Sequence, residues 1–178
     1  ELVLSEFYQV GDPISLFYIN RDFEPFWIGN DKKLKSLKSI IGEAKLHGLP
    51  TSRYPYDELR QAIFENEPSQ KAKLELMATE AFLLFAKDIS GGILNPAKID
   101  PNINVMPTRK STDELLVLLN DTLDVNVFLR SLFPRSNEYM RLQAELKNLR
   151  EASRNRSWGD LVPTDAVLAL GMTHDNVP

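Results

Sequence analysis

The stretch from Pro68 to Ser90 constrains this chain more than any other. Its apolar residues, Leu74, Met77, Ala78, Ala81, Phe82, Leu84, Phe85 and Ile89, recur at the three- and four-residue spacing of a helix. The face they make is wide, as expected of a central helix packed on more than one side. Pro68 or Ser69 opens the helix and Gly91-Gly92 ends it.

Helical signals recur on either side of this stretch. Asp12 is placed to cap a helix with Pro13 at its first position, and Ile14, Phe17 and Tyr18 share one face. The helix runs through about Arg21, and Pro25 then forces an extended aromatic segment from Phe23 to Ile28. Asn30 or Asp31 opens the next helix, with a stripe of Leu34, Leu37, Ile40, Ile41 and Ala44. His47-Gly48-Leu49-Pro50 stops it: Gly48 suits a left-handed position, His47 faces the negative end of the dipole, and Pro50 blocks continuation. Tyr54-Pro55-Tyr56 makes a short loop before a helix from Asp57 to about Asn66, with Leu59, Ala62 and Ile63 inward. Residues 91–110, with Pro96, Pro101 and Pro107, form a loop long enough to suggest a role. Ser111 or Thr112 caps a helix to about Asn120, with Glu114 in its first turn, and a short one from about Asp124 to Leu132 stops at Pro134. Ser136 caps the last, Asn137 to about Arg154, whose stripe of Tyr139, Leu142, Leu146 and Leu149 is narrower.

These elements predict a mostly α fold: a single compact helical domain of about six to seven helices, with the extended aromatic segment near residues 23–28. The helical domain is expected over 1–158. After Trp158-Gly159 the pattern dissolves, and 159–178 reads as a linker. No period of 30 to 45 residues recurs, which disfavours a solenoid.

At 178 residues the chain is near the usual size of one domain, and roughly 70% of its unfolded surface can be buried. Its 43% hydrophobic and 26% charged residues are ordinary for a globular protein. A net charge of −4 excludes a non-specific nucleic-acid binder, which needs a basic face. Lys32, Lys33, Lys35 and Lys38 fit the solvated side of a helix instead. No run of about 18 apolar residues could cross a membrane. The chain begins at Glu1 without a signal segment, which fits a trimmed or processed protein.

Chemistry is hard to find. With no cysteine there is no thiol nucleophile, disulfide or Cys-ligated zinc, and His47 and His174 form no metal-binding pair. The serines lack a nucleophile-elbow setting, and Gly91-Gly92 is followed by no phosphate-loop lysine. Carboxylates such as Glu75 with Glu80, or Asp113 with Glu114, would need a cleft between them to hydrolyse glycosides. The aromatics Phe7, Tyr8, Phe17, Tyr18, Phe23, Phe26 and Trp27 could stack on sugars, but more simply close one end of a helical core. His47 fits a helix end better than a ligand. Asn120-Asp121-Thr122 and Asn155-Arg156-Ser157 match the glycosylation pattern, which is short and frequent by chance. No catalytic, metal or cofactor-binding residue is assigned.

Four segments, in order, carry a resemblance. They are Phe17-Tyr18 with Arg21-Asp22-Phe23 and Pro25-Phe26-Trp27; Ala44-Lys45-Leu46-His47-Gly48-Leu49 with Tyr54; Thr79-Glu80-Ala81-Phe82 with Phe85, Asp88, Gly91-Gly92 and Pro96; and Leu132-Phe133-Pro134 with Tyr139, Leu142 and Leu146. Over roughly residues 14 to 158 the chain resembles the N-terminal scaffold domain of periplasmic YcbB-like murein L,D-transpeptidases. The tail, with Trp158, Pro163, Leu168-Ala169-Leu170-Gly171-Met172, Asp175, Val177 and Pro178, resembles the start of a peptidoglycan-binding domain, here truncated.

The resemblance implies a non-catalytic scaffold in the periplasm, in a parent transferase that cross-links cell-wall stem peptides. Its implied partners are peptidoglycan and the catalytic domain of the same parent chain. That domain would carry the acylated cysteine, so this chain alone is expected to be inactive. Aromatic and acidic side chains near Trp27 and the 91–110 loop are then candidates for one wall of a substrate groove. The residues themselves leave a second possibility open: a stand-alone helical module that binds a protein or peptidoglycan.

Overall fold

A computed structural model of the chain describes residues 4–7, 9–61, 67–104, 107–155 and 170. The protein is mostly α-helical, and no strand occurs among the described residues. Eight α-helices are described: α1 (Pro13–Ile19), α2 (Asp31–Gly42), α3 (Tyr56–Gln61), α4 (Pro68–Gly91), α5 (Pro96–Ile99), α6 (Thr112–Asn120), α7 (Val125–Ser131) and α8 (Asn137–Asn155). The helix beyond the expected six to seven is α5, a single turn in the proline-rich 91–110 stretch. It starts because Asn95 accepts from Ala97 N and Pro96 fixes the first helical φ.

Most helix starts follow from their caps. Asp12 accepts from Ser15 N, Asn30 from Lys33 N, Ser111 from Glu114 N, and Asp124 from Asn126 N and Val127 N. Each satisfies amide groups that a first turn leaves without intrahelical partners. The second helix is shorter than the stripe through Ala44 implies. It ends at Gly42, and residues Ala44–His47 continue as a 3-10 turn. Gly42 faces the Tyr56 ring, where an added Cβ would lie 3.2 Å from the hydroxyl oxygen. Gly48 then takes the left-handed conformation, φ 75°, as expected.

Residues 23–28 lie outside every helix, but they are folded into turns and bends rather than drawn out straight. Asp22 and Phe23 both have positive φ, 52° and 59°, and reverse the chain after α1. Phe23 N donates to Tyr18 O and Glu24 N to Arg21 O.

The chain divides into two compact units, Glu1–Ser136 and Asn137–Pro178. In the first, α2 packs on α3, α4 and α7, while α6 packs on α1 and α4. Helix α4 is central: Ala72, Leu74, Ala78, Ala81, Phe82, Leu83, Phe85, Ala86 and Ile89 are all buried. Leu37, Ile40, Ile41, Leu59, Leu115, Leu119 and Leu129 close around it. In the second unit the described element is α8, and none of its described side chains is buried. Leu142 and Leu149, expected on a packed stripe, are 70% and 67% exposed. Ala62, Ile63 and nearly all of the 159–178 tail lie outside the described residues.

Candidate functional site

Three polar residues or ends of α4 hold the loops around it, and the first is a buried carboxylate. Glu75 stands three and seven residues before Ala78 and Phe82, on their side of the helix, and is fully buried. A buried carboxylate is very costly unless its oxygens are hydrogen-bonded. Here Oε1 accepts from Phe26 N at 2.6 Å, Trp27 N at 3.0 Å and the Tyr18 hydroxyl at 2.8 Å. Oε2 accepts from Ile28 N at 2.8 Å. Three successive backbone amides thus wrap one side chain, which is why the aromatic segment turns instead of extending.

Thr79, one turn on, completes the arrangement. Its Oγ1 accepts from Trp27 Nε1 at 2.9 Å and lies 2.7 Å from the Tyr18 hydroxyl oxygen. Burial and the Glu75 charge push the Tyr18 phenol well above its ordinary pKa, so it stays a donor. Phe17, Tyr18, Phe26 and Trp27 meet edge to face. Trp27 is 0% exposed. It therefore forms no wall of a groove, and the four buried aromatics close a core as the simpler expectation held. Phe7 lies outside that core and Phe23 is only partly buried. Tyr8 falls outside the described residues.

Above this buried layer sit two cations. Lys33 Nζ lies 3.5 Å from the Phe26 ring centre, and Arg21 Cζ 5.2 Å from it. Arg21 Nη1 also donates to Asn120 Oδ1 at 2.7 Å. Burial, then the Arg21 charge, pulls the Lys33 pKa down.

Asp88 is the second anchor, on the same helix. It accepts from Arg53 Nε and from the Tyr54 hydroxyl at 3.1 Å, tying the 51–54 turn to α4. Desolvation and the adjacent Asp88 charge raise the Tyr54 pKa. The third anchor is the helix end. Arg109 Nη2 donates to Gly92 O at 2.6 Å, so a guanidinium sits at the negative end of the α4 dipole. It also closes the 91–110 stretch into a loop.

The other candidates are kept apart. Glu75 is buried while Glu80 is exposed, so the pair shares no cleft. Asp113 and Glu114 are both exposed in the first turn of α6. His47 ends its 3-10 turn with its ring 4.4 Å from that of Phe133, and burial lowers its pKa. Among the described residues no group of three or more His, Cys, Asp or Glu could hold a metal ion. No described helix is long and apolar enough to cross a membrane.

Sequence patterning named Glu75 only as half of a carboxylate pair and missed its role as the buried anchor of residues 26–28. The available signal was an acidic residue on the apolar side of an otherwise core-forming helix. A family model described as Scaffold domain matches residues 12–146 of this chain. No curated protein and no solved structure matches it.

Proposed function

Because this chain belongs to the Scaffold domain family, we propose that it is the non-catalytic scaffold of a peptidoglycan L,D-transpeptidase. The carrying observation is how the signature residues are used. Tyr18, Phe26 and Trp27 gather on Glu75 and Thr79, Tyr54 on Asp88, and Gly91 and Gly92 on Arg109. In each case the contact fixes a loop to α4, and none presents a nucleophile beside a base. A helical body whose loops are tied to one central helix suits the holding of other domains.

On this reading the parent acts in the periplasm, and its catalytic domain supplies the thiolate that a chain without cysteine cannot. Peptidoglycan and that catalytic domain are the partners. The test is muropeptide analysis of cells carrying the full parent gene, intact or with residues 12–146 removed. Loss of its cross-links on removal, with the catalytic domain still folded, supports the scaffold role. Unchanged cross-linking, or a reading frame beyond Pro178 that encodes no such cysteine domain, sinks it. The exposed Leu142 and Leu149 on α8 favour the second possibility, a protein-interaction module, should that happen.

A further inference from the structure

Helix α8 carries Tyr139, Leu142, Leu146 and Leu149, at steps of three, four and three residues. This is the heptad spacing of a coiled-coil seam, with Tyr139 and Leu146 at its a positions and Leu142 and Leu149 at its d positions. Such a seam is narrower than the apolar face of a helix packed on several sides, such as α4. Within the whole chain Leu142 and Leu149 are 70% and 67% exposed, while Tyr139 and Leu146 are partly buried. Two leucines seven residues apart lie almost in line on the helix surface, about 10 Å from each other.

The spacing alone names no occupant, but the charges beside it do. Of the charged residues of α8, Arg141, Lys147, Glu151 and Arg154 fall on the outer positions of the heptad, and Lys147 lies 3.9 Å from Glu151. The three others flank the seam: Glu138 and Glu145 at g, and Arg150 at e. Neither Glu145 nor Arg150 joins an ion pair among the described residues. In a parallel pair of helices, each g position faces the e position five residues later in the other copy. Glu145 then meets Arg150 twice, by symmetry. In an antiparallel pair g faces g, which sets Glu138 and Glu145 against each other.

We propose that α8 is a self-association surface, and that its occupant is α8 of a second copy of this chain in parallel register. Leu142 and Leu149 meet their counterparts, and Glu145 of each copy reaches Arg150 of the other. Leucine at d suits a two-stranded seam. The helix offers two heptads, fewer than the three or four that mark a self-standing coiled coil. The dimer is therefore weak and forms where copies are concentrated. It does not rest on the transpeptidase reading.

The experiment is sedimentation equilibrium of the whole chain from micromolar to millimolar concentration, with charge-reversed and cysteine variants. The expected result is a monomer that passes into a dimer as concentration rises. Glu145→Arg and Arg150→Glu each turn two attractive pairs per dimer into repulsive ones, and each should weaken association by about tenfold. Mixing the two variants should restore it, because each then supplies the charge the other lacks. The chain has no cysteine, so an introduced one reports on register without interference. Identical d positions face each other in a parallel dimer, so Leu149→Cys should cross-link under mild oxidation, and Asn148→Cys, on an outer position, should not. A chain that stays monomeric throughout, no rescue on mixing, or equal cross-linking of the two cysteine variants would each overturn the proposal. These measurements need neither sacculi nor a catalytic domain, so their failure leaves the muropeptide test intact.

Discussion

Glu75 presents both carboxylate oxygens to donors, and a glutamine cannot do the same. Its amide nitrogen would face the N–H of Ile28 or the donors from Phe26, Trp27 and Tyr18. Glu75→Gln is therefore expected to cost about 3 kcal/mol, the range for a broken buried charge network. Urea denaturation followed by Trp27 fluorescence measures it, and a loss under about 1 kcal/mol would mean the charge is dispensable. His47 makes a prediction about pH. Burial lowers its folded pKa below the ordinary 6.5, so the unfolded chain binds more protons in this range. The stability held by the neutral ring is full above that value and is lost as pH falls through the lower folded pKa. His47→Phe keeps a ring against Phe133 and should flatten this part of the profile in urea midpoints taken on both sides of 6.5. An unchanged slope would assign the acid sensitivity to other groups.

Helix α4 ends on two glycines with different duties. At Gly91 an added Cβ would run into the Arg109 side chain, whereas at Gly92 it would meet nothing but requires φ 72°. Gly91→Ala should thus displace Arg109 and expose the 91–110 loop to limited proteolysis. Gly92→Ala should cost about 2 kcal/mol, because φ 72° with ψ 161° is a backbone region open essentially to glycine alone, and should leave the Arg109 contact in place. Equal protease sensitivity in the two variants would count against the Arg109 clamp. Elements of this kind were legible because their signals are local: Asp12, Asn30, Ser111 and Asp124 cap within three residues, and Gly48 and Gly92 mark stops. What holds the loops was not. Glu75 bonds backbone amides 47 to 49 residues away, and an amide has no side-chain signature. The approach of the Tyr56 ring to Gly42 likewise joins residues far apart in sequence, which no local pattern marks. The stripe on α8 was legible as a pattern, but periodicity says nothing about what covers it.

Every buried apolar residue described, from Leu4 to Leu129, lies within Glu1–Ser136. A fragment of residues 1–136 should therefore melt cooperatively by circular dichroism, and a broad, non-cooperative melt would show that its core is incomplete. No disulfide assists that fold, since the chain has no cysteine. Its stability rests on the packing around α4 and on that helix's polar anchors, so the same body can form in reducing or oxidising surroundings. The Arg109 clamp has a further consequence, for protein engineering. It seals the 91–110 stretch at its base, while Pro101 and Asn102 sit exposed at a turn. Each doubling of a closed loop adds only about 0.6 kcal/mol in chain entropy. A fluorescent reporter spliced between Pro101 and Asn102 would hang from a knotted hem, and the garment would keep its cut.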